Sequence, residues 1–512
     1  MTTLDSLCAT TIQNETKRAL VLSGGGMRLS YQAGAMLALE EAQLTFHHFD
    51  ATSGGSMNMS MLFSGLTPTT MCNRWASLKM RDSVSILPLN NYLHANNLEG
   101  LGDADGIRNN VFPHLGINSE KIRAVNNVIG TYNVLDYDDK QVKVIPHSEI
   151  DLDMMIAGIS LPGVFPPVRK NNKTYLDTAF IQDANLMEAV RRGAEEIWLI
   201  WGLGNTANYQ GGPLNIYIQM LETSANGALN NEISQIQELN QRIQNGDSPY
   251  GQSKPIQLNI IQPKRPLPLD PDLYLGKISN ATLVDMGYAD AKAYLNTRPA
   301  QGLSPGINMT RMIESEPGLR FCEKQNGELT FNHHTDNQQN HATSLDITIH
   351  INSFEKFMTT PSTKERVTGR VSIAGLVENK MIDDGCFFIT VPEENPEMKV
   401  LNYQVIFSKH FSKQEEDTGN QEYILHGKKK LFDDPGFDFI DDLRTVYTSL
   451  YKSNDSSTPI ATGALKLSLK ALAGQATSIT TTHTDSIVES AKMVAKFSAL
   501  CFMEGNETQQ PA

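Results

Sequence analysis

A serine at a sharp turn is the residue best suited to chemistry in this sequence. Ser53 lies in the run Thr52-Ser53-Gly54-Gly55, at the end of the predicted strand 49–52 and before a predicted helix rich in Met and Leu. A serine on such a strand-to-helix turn projects clear of the backbone, and its Oγ lies at the helix N-terminus, where the dipole favours negative charge. Ala51 and Gly55 are small enough for this elbow to form. The pattern predicts a nucleophile, although a lone serine at a helix start is most often only an N-cap.

A glycine loop after the first apolar segment offers an anion site. Residues 24–28 read Gly-Gly-Gly-Met-Arg and follow the predicted strand 18–23. Consecutive glycines can turn their N–H groups toward one point. Beside Ser53 such a loop would form an oxyanion hole, with Arg28 fixing the loop or adding positive potential. By itself the loop is more often a phosphate-binding or tight turn, but no Gly-Lys-Ser/Thr follows, so it is not a Walker loop.

Three blocks in this order resemble the patatin-like phospholipase family. The glycine loop and the serine turn are separated by about 27 residues, across one strand–helix–strand unit. A third block, residues 160–179, reads SLPGVFPPV and then TYLDTA, similar to the family pattern S-x-P-x-x-F-P-P followed by Y-x-D-G-G/A. The resemblance covers about residues 17–300. It implies a lipid acyl hydrolase.

The resemblance also implies the residue roles. Ser53 is the nucleophile and Asp177 its partner in a Ser–Asp dyad, and no metal or other cofactor is required. Asp177 accepts the Ser53 proton, Ser53 attacks the ester carbonyl, and water then releases the acyl group. The loop that holds the oxyanion is made of Gly24, Gly25, Gly26 and Arg28.

Three positions depart from the family pattern. Ala51 replaces the first glycine of the elbow, Leu29 replaces the glycine after Arg28, and Thr178 replaces the glycine after Asp177. Ala51 adds only a methyl group, whereas the β-branched Thr178 narrows the site or alters Asp177. Two alternatives therefore stay open. One is a catalytically silent lipid-binding or scaffold protein, and the other is an acyltransferase or thioesterase that uses the same dyad.

Histidines and clustered carboxylates elsewhere are weaker candidates. His47 and His48 precede Ser53 at the far end of its predicted strand, so we interpret them as surface or packing residues. An Asn/Gln-rich segment holds metal-ligand residue types, but solvated side chains are the better interpretation there. An Asp-rich turn at 431–438 has carboxylates that calcium binds, and an ordinary turn is favoured. The histidine-rich set consists of His333, His334, Asp336 and His341.

Alternating strand and helix segments over residues 1–300 predict a mainly parallel α/β sheet. The resemblance to the patatin-like family implies that this region is a three-layer α/β/α domain. In residues 301–343, Gly, Pro, Asn, Gln and His accumulate, which predicts a linker or long loop. The period then changes to two, and residues 344–478 are predicted to form a β-sandwich-like accessory domain. That region loosely resembles an accessory β-domain of some cholesterol-oxidase-like proteins. Residues 479–512 are predicted as a C-terminal helix, over 486–503, and a tail.

Net charge, cysteine content and hydropathy restrict the kinds of partner and the location that the sequence allows. The 512 residues carry a formal charge of −14, which argues against a nucleic-acid partner. Five scattered cysteines without a CxxC motif fit reduced thiols, and neither a signal peptide nor a membrane-spanning segment is found. We therefore expect a cytoplasmic protein, peripherally bound to a membrane, that acts on lipid or phospholipid. Its C-terminal domain would present the enzyme to lipid or to a protein partner.

Overall fold

The chain divides into two compact units, Met1–Glu314 and Ser315–Ala512. A computed structural model of the protein describes residues 7–8, 16–79, 98–303, 305–306, 308–332, 340–395, 398–410, 420–432, 444–468, 479–484 and 486–502. Each unit contains a hydrophobic core of its own.

The first unit is built on an eight-stranded, mainly parallel sheet. Its strand order is β5-β6-β3-β2-β1-β7-β8, with β4 also paired to β3. The pairs β3–β2, β2–β1, β1–β7 and β7–β8 are parallel. At the β3 side of the sheet, β4 and β6 pair antiparallel with β3, and β5 pairs antiparallel with β6. The strands are β1 Arg18–Leu22, β2 His48–Thr52, β3 Ile129–Asp136, β4 Gln141–Pro146, β5 Val168–Lys170, β6 Lys173–Leu176, β7 Glu196–Ile200 and β8 Gln257–Ile261.

Helices cover both faces of this sheet. Along β7, Ile197 and Leu199 point into a core shared with α7 and α8. Trp198 points to the opposite face, where its ring meets Tyr294 of α10. The predicted fold class of the N-terminal part is thereby confirmed. The helices are α1 Ser30–Glu41, α2 Gly55–Phe63, α3 Pro68–Ser77, α4 Phe112–Leu115, α5 Ser119–Arg123, α6 Leu152–Ala157, α7 Leu186–Arg191, α8 Pro213–Gln244, α9 Asp270–Tyr274 and α10 Asn280–Thr297.

The second unit is one antiparallel sheet that closes on itself. β9 pairs with β10 along one edge and with β17 and β18 along the other, so the strand order returns to its start. Its inner face surrounds a core that includes Phe357 of α11 and Phe497 of α12. The elements are β9 Gly318–Phe331, β10 Asn340–Ile351, α11 Phe354–Thr359, β11 Glu365–Ile373, β12 Val377–Met381, β13 Asp384–Thr390, β14 Met398–His410, β15 Asn420–Phe432, β16 Thr445–Lys452, β17 Ala461–Leu467, β18 Thr480–Thr482 and α12 Ile487–Phe502.

Two features of the second unit correct the sequence prediction. The strands form a single closed sheet instead of the two stacked sheets of a sandwich. The predicted linker 301–343 contains β9, whose inward positions include the polar residues Glu323 and Gln325. Polar residues occupy both faces of this strand, so its sequence lacks the alternation of apolar and polar residues that predicts a strand and is typical of a loop instead. The boundary between the units lies after Glu314.

None of the described helices is both long enough and apolar enough to cross a membrane. The C-terminal helix α12 forms within the predicted segment, and the backbone N–H of Glu489 donates to Oγ of Ser486 at 3.2 Å, as a capping serine requires.

Candidate active site

The parallel sheet brings the glycine loop and the serine turn together. β1 and β2 pair in parallel with Leu22 opposite Ala51, so both strands end at the same edge of the sheet. Gly24 is the second residue after β1 and Ser53 the first after β2, and a methyl group on Gly24 would lie 2.9 Å from Cβ of Ser53. The two blocks that the sequence singled out are therefore neighbours in the structure.

Ser53 occupies a strained turn between β2 and α2. Its φ is 51°, in the left-handed region that residues other than glycine rarely adopt. A methyl group on Gly55 would lie 2.6 Å from the carbonyl oxygens of Leu22 and Ser23, so only glycine fits there. Such strain costs about 1–3 kcal/mol and clusters at functional sites. Here it aims the Ser53 hydroxyl away from the backbone at the end of β2.

Asp177 reaches Ser53 from an antiparallel strand. It follows β6, and its backbone N–H donates to the carbonyl of Ser160 at 3.0 Å. Oγ of Ser53 donates to Oδ2 of Asp177 at 2.5 Å, while the N–H of Ala179 donates to Oδ1 at 2.9 Å. Burial raises the pKa of Asp177 to about 7, against the opposing effect of its hydrogen bonds. The carboxyl can therefore exchange a proton near neutral pH.

Two of the three loop glycines have backbone N–H groups that are available to bind a substrate oxygen. Gly25 and Gly26 adopt positive φ values of 146° and 66°. Within the described part of the chain, neither N–H donates a hydrogen bond. The N–H of Gly24, in contrast, donates to the backbone carbonyl of Asp183 at 3.1 Å. An oxyanion hole at this loop would thus use Gly25 and Gly26.

Arg28 and Asp270 hold the loop in place. Nε of Arg28 donates to the carbonyl of Gly25 at 2.9 Å and lies 3.7 Å from Oδ1 of Asp270. Oδ2 of Asp270 accepts the N–H of Met27 at 3.2 Å. Of the two roles that the sequence left open for Arg28, the geometry favours fixing the loop. Asp270 begins α9 and carries no local signal that predicts this role.

A second buried carboxyl lies beside the dyad. Asp183 is 1% exposed, and neither of its carboxyl oxygens has a hydrogen-bond partner among the described residues. A methyl group on Gly24 would overlap Oδ1 of Asp183, which places this carboxyl against the glycine loop. Burial and the negative charge of Asp177 raise the pKa of Asp183 well above its usual value. The sequence analysis missed this residue because an aspartate after a turn has no distinctive pattern.

Behind the elbow, a buried polar network supports β2. Asp50 accepts hydrogen bonds from Oγ1 of Thr131 at 2.6 Å and from Nδ2 of Asn133 at 2.7 Å. Nδ2 of Asn185 in turn donates to Oδ1 of Asn133 at 3.0 Å. Burial raises the pKa of Asp50 to about 8, against the opposing effect of the hydrogen bonds from Thr131 and Asn133. This network fixes the strand that ends at Ser53.

The three residues that depart from the family pattern lie inside the first unit. Ala51, Leu29 and Thr178 are buried. A methyl group on Gly54 would overlap the Leu29 side chain, so the larger residue fills space beside the elbow. Oγ1 of Thr178 has no hydrogen-bond partner in the described structure.

Of the other candidates, His47 and His48 do not join this site. His48 is buried at the opposite end of β2 from Ser53, where Nε2 lies 2.8 Å from Oγ1 of Thr131. His47 precedes that strand. Nδ1 of His341 lies 2.6 Å from the carbonyl of Ala374. Residues 333–339, as well as 433–438 of the Asp-rich turn, lie outside the described residues. Among those described, no group of three His, Cys, Asp or Glu side chains could hold a metal ion.

Comparison with known proteins agrees with these blocks. The model of the patatin-like phospholipase family matches residues 20–190, which include the glycine loop, Ser53 and Asp177. The resemblance is confirmed over those residues. A solved structure, VipD from Legionella pneumophila, is 12% identical over 57% of this chain and 70% of that chain, with a TM-score of 0.28. No curated protein matches the chain.

Proposed function

We propose, from the patatin-like phospholipase domain matched in residues 20–190, that the protein is a serine hydrolase of carboxylic esters in lipids. Phospholipid is the leading substrate class. The observation that carries the proposal is the 2.5 Å hydrogen bond from Oγ of Ser53, on its strained turn, to the buried carboxyl of Asp177.

The dyad supplies both the nucleophile and the base. Asp177, as the carboxylate, accepts the proton of Ser53 while Oγ attacks the ester carbonyl. The proton then passes from Asp177 to the leaving alcohol, and an acyl-serine remains. In the second half, water gives its proton to Asp177 and attacks the acyl group, which restores Ser53.

The glycine loop stabilises the charge that forms on the carbonyl oxygen. The N–H groups of Gly25 and Gly26, which donate to no acceptor among the described residues, would bind that oxygen, and the contacts of Arg28 and Asp270 support the loop. Preorganised donors of this kind contribute about 3–4 kcal/mol each to transition-state stabilisation. Because no reorganisation is needed during the reaction, a dyad without histidine suffices.

The test is labelling of the full chain by a fluorophosphonate probe. Wild type is expected to label, whereas Ser53→Ala and Asp177→Asn lose labelling, with rates reduced by about 10³-fold or more. Ser60→Ala is the matched control, because Ser60 is a buried serine on α2 that contacts Tyr132 and not the dyad. Absence of wild-type labelling, with lipid present, would indicate the silent lipid-binding alternative.

A second measurement separates hydrolysis from acyl transfer. Hydrolysis releases free fatty acid from phospholipid vesicles at a rate that an added alcohol leaves unchanged. An acyltransferase would instead move the acyl group to that alcohol. A thioesterase would prefer an acyl thioester to the oxygen ester.

A further inference from the structure

The beginning of α8 exposes a ridge of apolar side chains. We define the α8 ridge as four residues that are 75%, 50%, 37% and 60% exposed, respectively: Tyr209, Leu214, Ile216 and Met220. Single exposed apolar residues are normal on protein surfaces. Here Ile216 and Met220 lie one turn apart on one side of α8, Leu214 lies on the other side of its first turn, and Tyr209 precedes the helix, so exposed apolar side chains surround the helix start. The next residue, Leu221, is buried, so the helix enters the core directly after the ridge.

The ridge lies in a stretch without charge. Residues 202–221 contain no Asp, Glu, Lys or Arg, whereas a chain that is 20% charged would carry about four in that length. The polar groups between the apolar residues are amides, Asn208, Gln210, Asn215 and Gln219. Soluble surfaces normally carry interspersed charges, so this composition indicates a surface that does not face water alone.

The same helix borders the candidate active site. Tyr217, on the second turn of α8, donates from its hydroxyl to the carbonyl of Pro162 at 2.6 Å. Its ring centroid lies 5.8 Å from that of Phe180, the third residue after Asp177. Oγ of Ser224 donates to the carbonyl of Phe180 at 2.5 Å. These contacts fix the ridge to the loop that carries the dyad aspartate.

We propose that the α8 ridge inserts into the surface of a lipid bilayer and holds the Ser53 site against it. This inference rests on the proposed function, because a lipid ester in a bilayer must reach a buried serine. Uncharged aliphatic side chains with a flanking tyrosine suit the boundary between headgroups and acyl chains. With a formal charge of −14 the chain has no net attraction to anionic lipid, so apolar insertion and not charge drives the binding.

The experiment measures binding of the full chain to phosphatidylcholine vesicles by flotation. All proteins carry Ser53→Ala, so that hydrolysis does not change the vesicles. The ridge variant Leu214→Ser/Ile216→Ser/Met220→Ser is expected to bind at least tenfold more weakly than its parent, and 0.5 M salt is expected to leave parental binding unchanged. The control is Ile487→Ser/Val488→Ser, which removes two apolar side chains that are 86% and 65% exposed on α12. It should bind like the parent.

A second readout does not depend on the triple variant folding. A single Leu214→Trp substitution should give a blue-shifted tryptophan emission on adding vesicles, as an inserted ring does. Lack of parental binding to phosphatidylcholine, binding that needs anionic lipid and disappears in salt, or equal binding of the ridge variant would each overturn the proposal.

The two proposals fail separately. With Ser53 restored, the ridge variant should hydrolyse a soluble short-chain ester at the parental rate but release little fatty acid from vesicles. Lost activity on both substrates in a folded variant would refute the membrane role. Vesicle binding without any fluorophosphonate labelling would refute the proposed hydrolase and leave the ridge assignment intact.

Discussion

At the scale of single residues, burial gives Asp177 its chemistry. An exposed carboxylate is a weak base, whereas burial raises the pKa of Asp177 to about 7 and so strengthens it. In the neighbouring Asp183, two effects disfavour the ionised carboxylate: burial, and repulsion by the negative charge of Asp177. Both effects therefore raise the pKa of Asp183.

The rate of Ser53 acylation should rise with pH and reach half its maximum near pH 7. Only the ionised form of Asp177 accepts a proton, and its pKa of about 7 sets that fraction. The check is the fluorophosphonate labelling rate between pH 5 and 9. Asp177→Asn should label slowly and without this pH dependence. A wild-type rate that stays constant across the range would contradict the assignment of Asp177 as the base.

Gly24→Ala should reduce the labelling rate by about tenfold or more while the chain stays folded. The added methyl group would overlap Oδ1 of Asp183 and crowd Cβ of Ser53, which displaces the loop from the serine. Gly227→Ala on α8 is the matched control, because a methyl group there meets no atom within 4 Å. Equal labelling of the two variants would show that the loop tolerates the shift.

Ser53 and the glycine loop could be predicted because their signals are local. A turn of small residues after a short apolar strand is visible within about ten positions of sequence. Asp183 and Asp270 could not be predicted, because their roles depend on contacts across the fold: Asp270 meets Met27 over 243 positions. A buried aspartate has no sequence pattern that separates it from an exposed one.

At the scale of elements, the parallel strands were predictable and the closure of the second sheet was not. The strands β1 and β7 are short, largely apolar runs, as a buried parallel sheet requires. In the second unit, alternation marks which residues face inward but not which strands pair. The joining of β9 with both β10 and β17 rests on long-range pairing that period-two patterns do not contain.

Lys429→Met should lower the free energy of unfolding of the second unit by about 3–5 kcal/mol. Lys429 and Glu323 are buried and 3.3 Å apart, so removing the lysine takes a buried positive charge away from the carboxylate. Tyr403 and Gln325 also donate to that carboxylate, at 3.1 Å and 2.8 Å, but neither supplies charge. The measurement is urea unfolding followed by circular dichroism.

The exposed pair Lys324–Asp346, 2.6 Å apart on the neighbouring strands β9 and β10, supplies the control. Lys324→Met should change the free energy of unfolding by less than about 1 kcal/mol, since water screens that pair. If Lys429→Met were equally mild, a polar network alone would be holding Glu323.

At the scale of the whole molecule, the two units bury groups of opposite titration behaviour. Folding raises the pKa of Asp183 in the first unit and that of Asp50 to about 8. In the second unit, the pKa of His350 lies well below its usual value. Burial is the main cause, and the nearby positive charges of Arg320 and Arg366 add to it. Each unit has its own core, so each set of groups acts on its own unfolding transition.

Calorimetry should therefore resolve two transitions whose melting temperatures respond oppositely to pH. Asp50 and Asp183 keep protons in the folded first unit that the unfolded chain has lost, so this unit should lose stability from pH 6.5 to 8. His48 opposes this effect only below pH 6.5, because folding lowers its pKa to about 3. The unfolded second unit binds a proton at His350 that the folded one excludes, so its transition should fall from pH 6.5 to 5.

The Lys429→Met variant shows which transition belongs to which unit, because it should lower the melting temperature of the second unit only. Asp50→Asn should raise the transition of the first unit at pH 8, since it removes the ionisation that burial opposes. The amide at that position can still accept from Thr131, which limits what the substitution costs the network. A single transition, or two that move together with pH, would mean that the units unfold as one and that these buried groups act on a shared equilibrium.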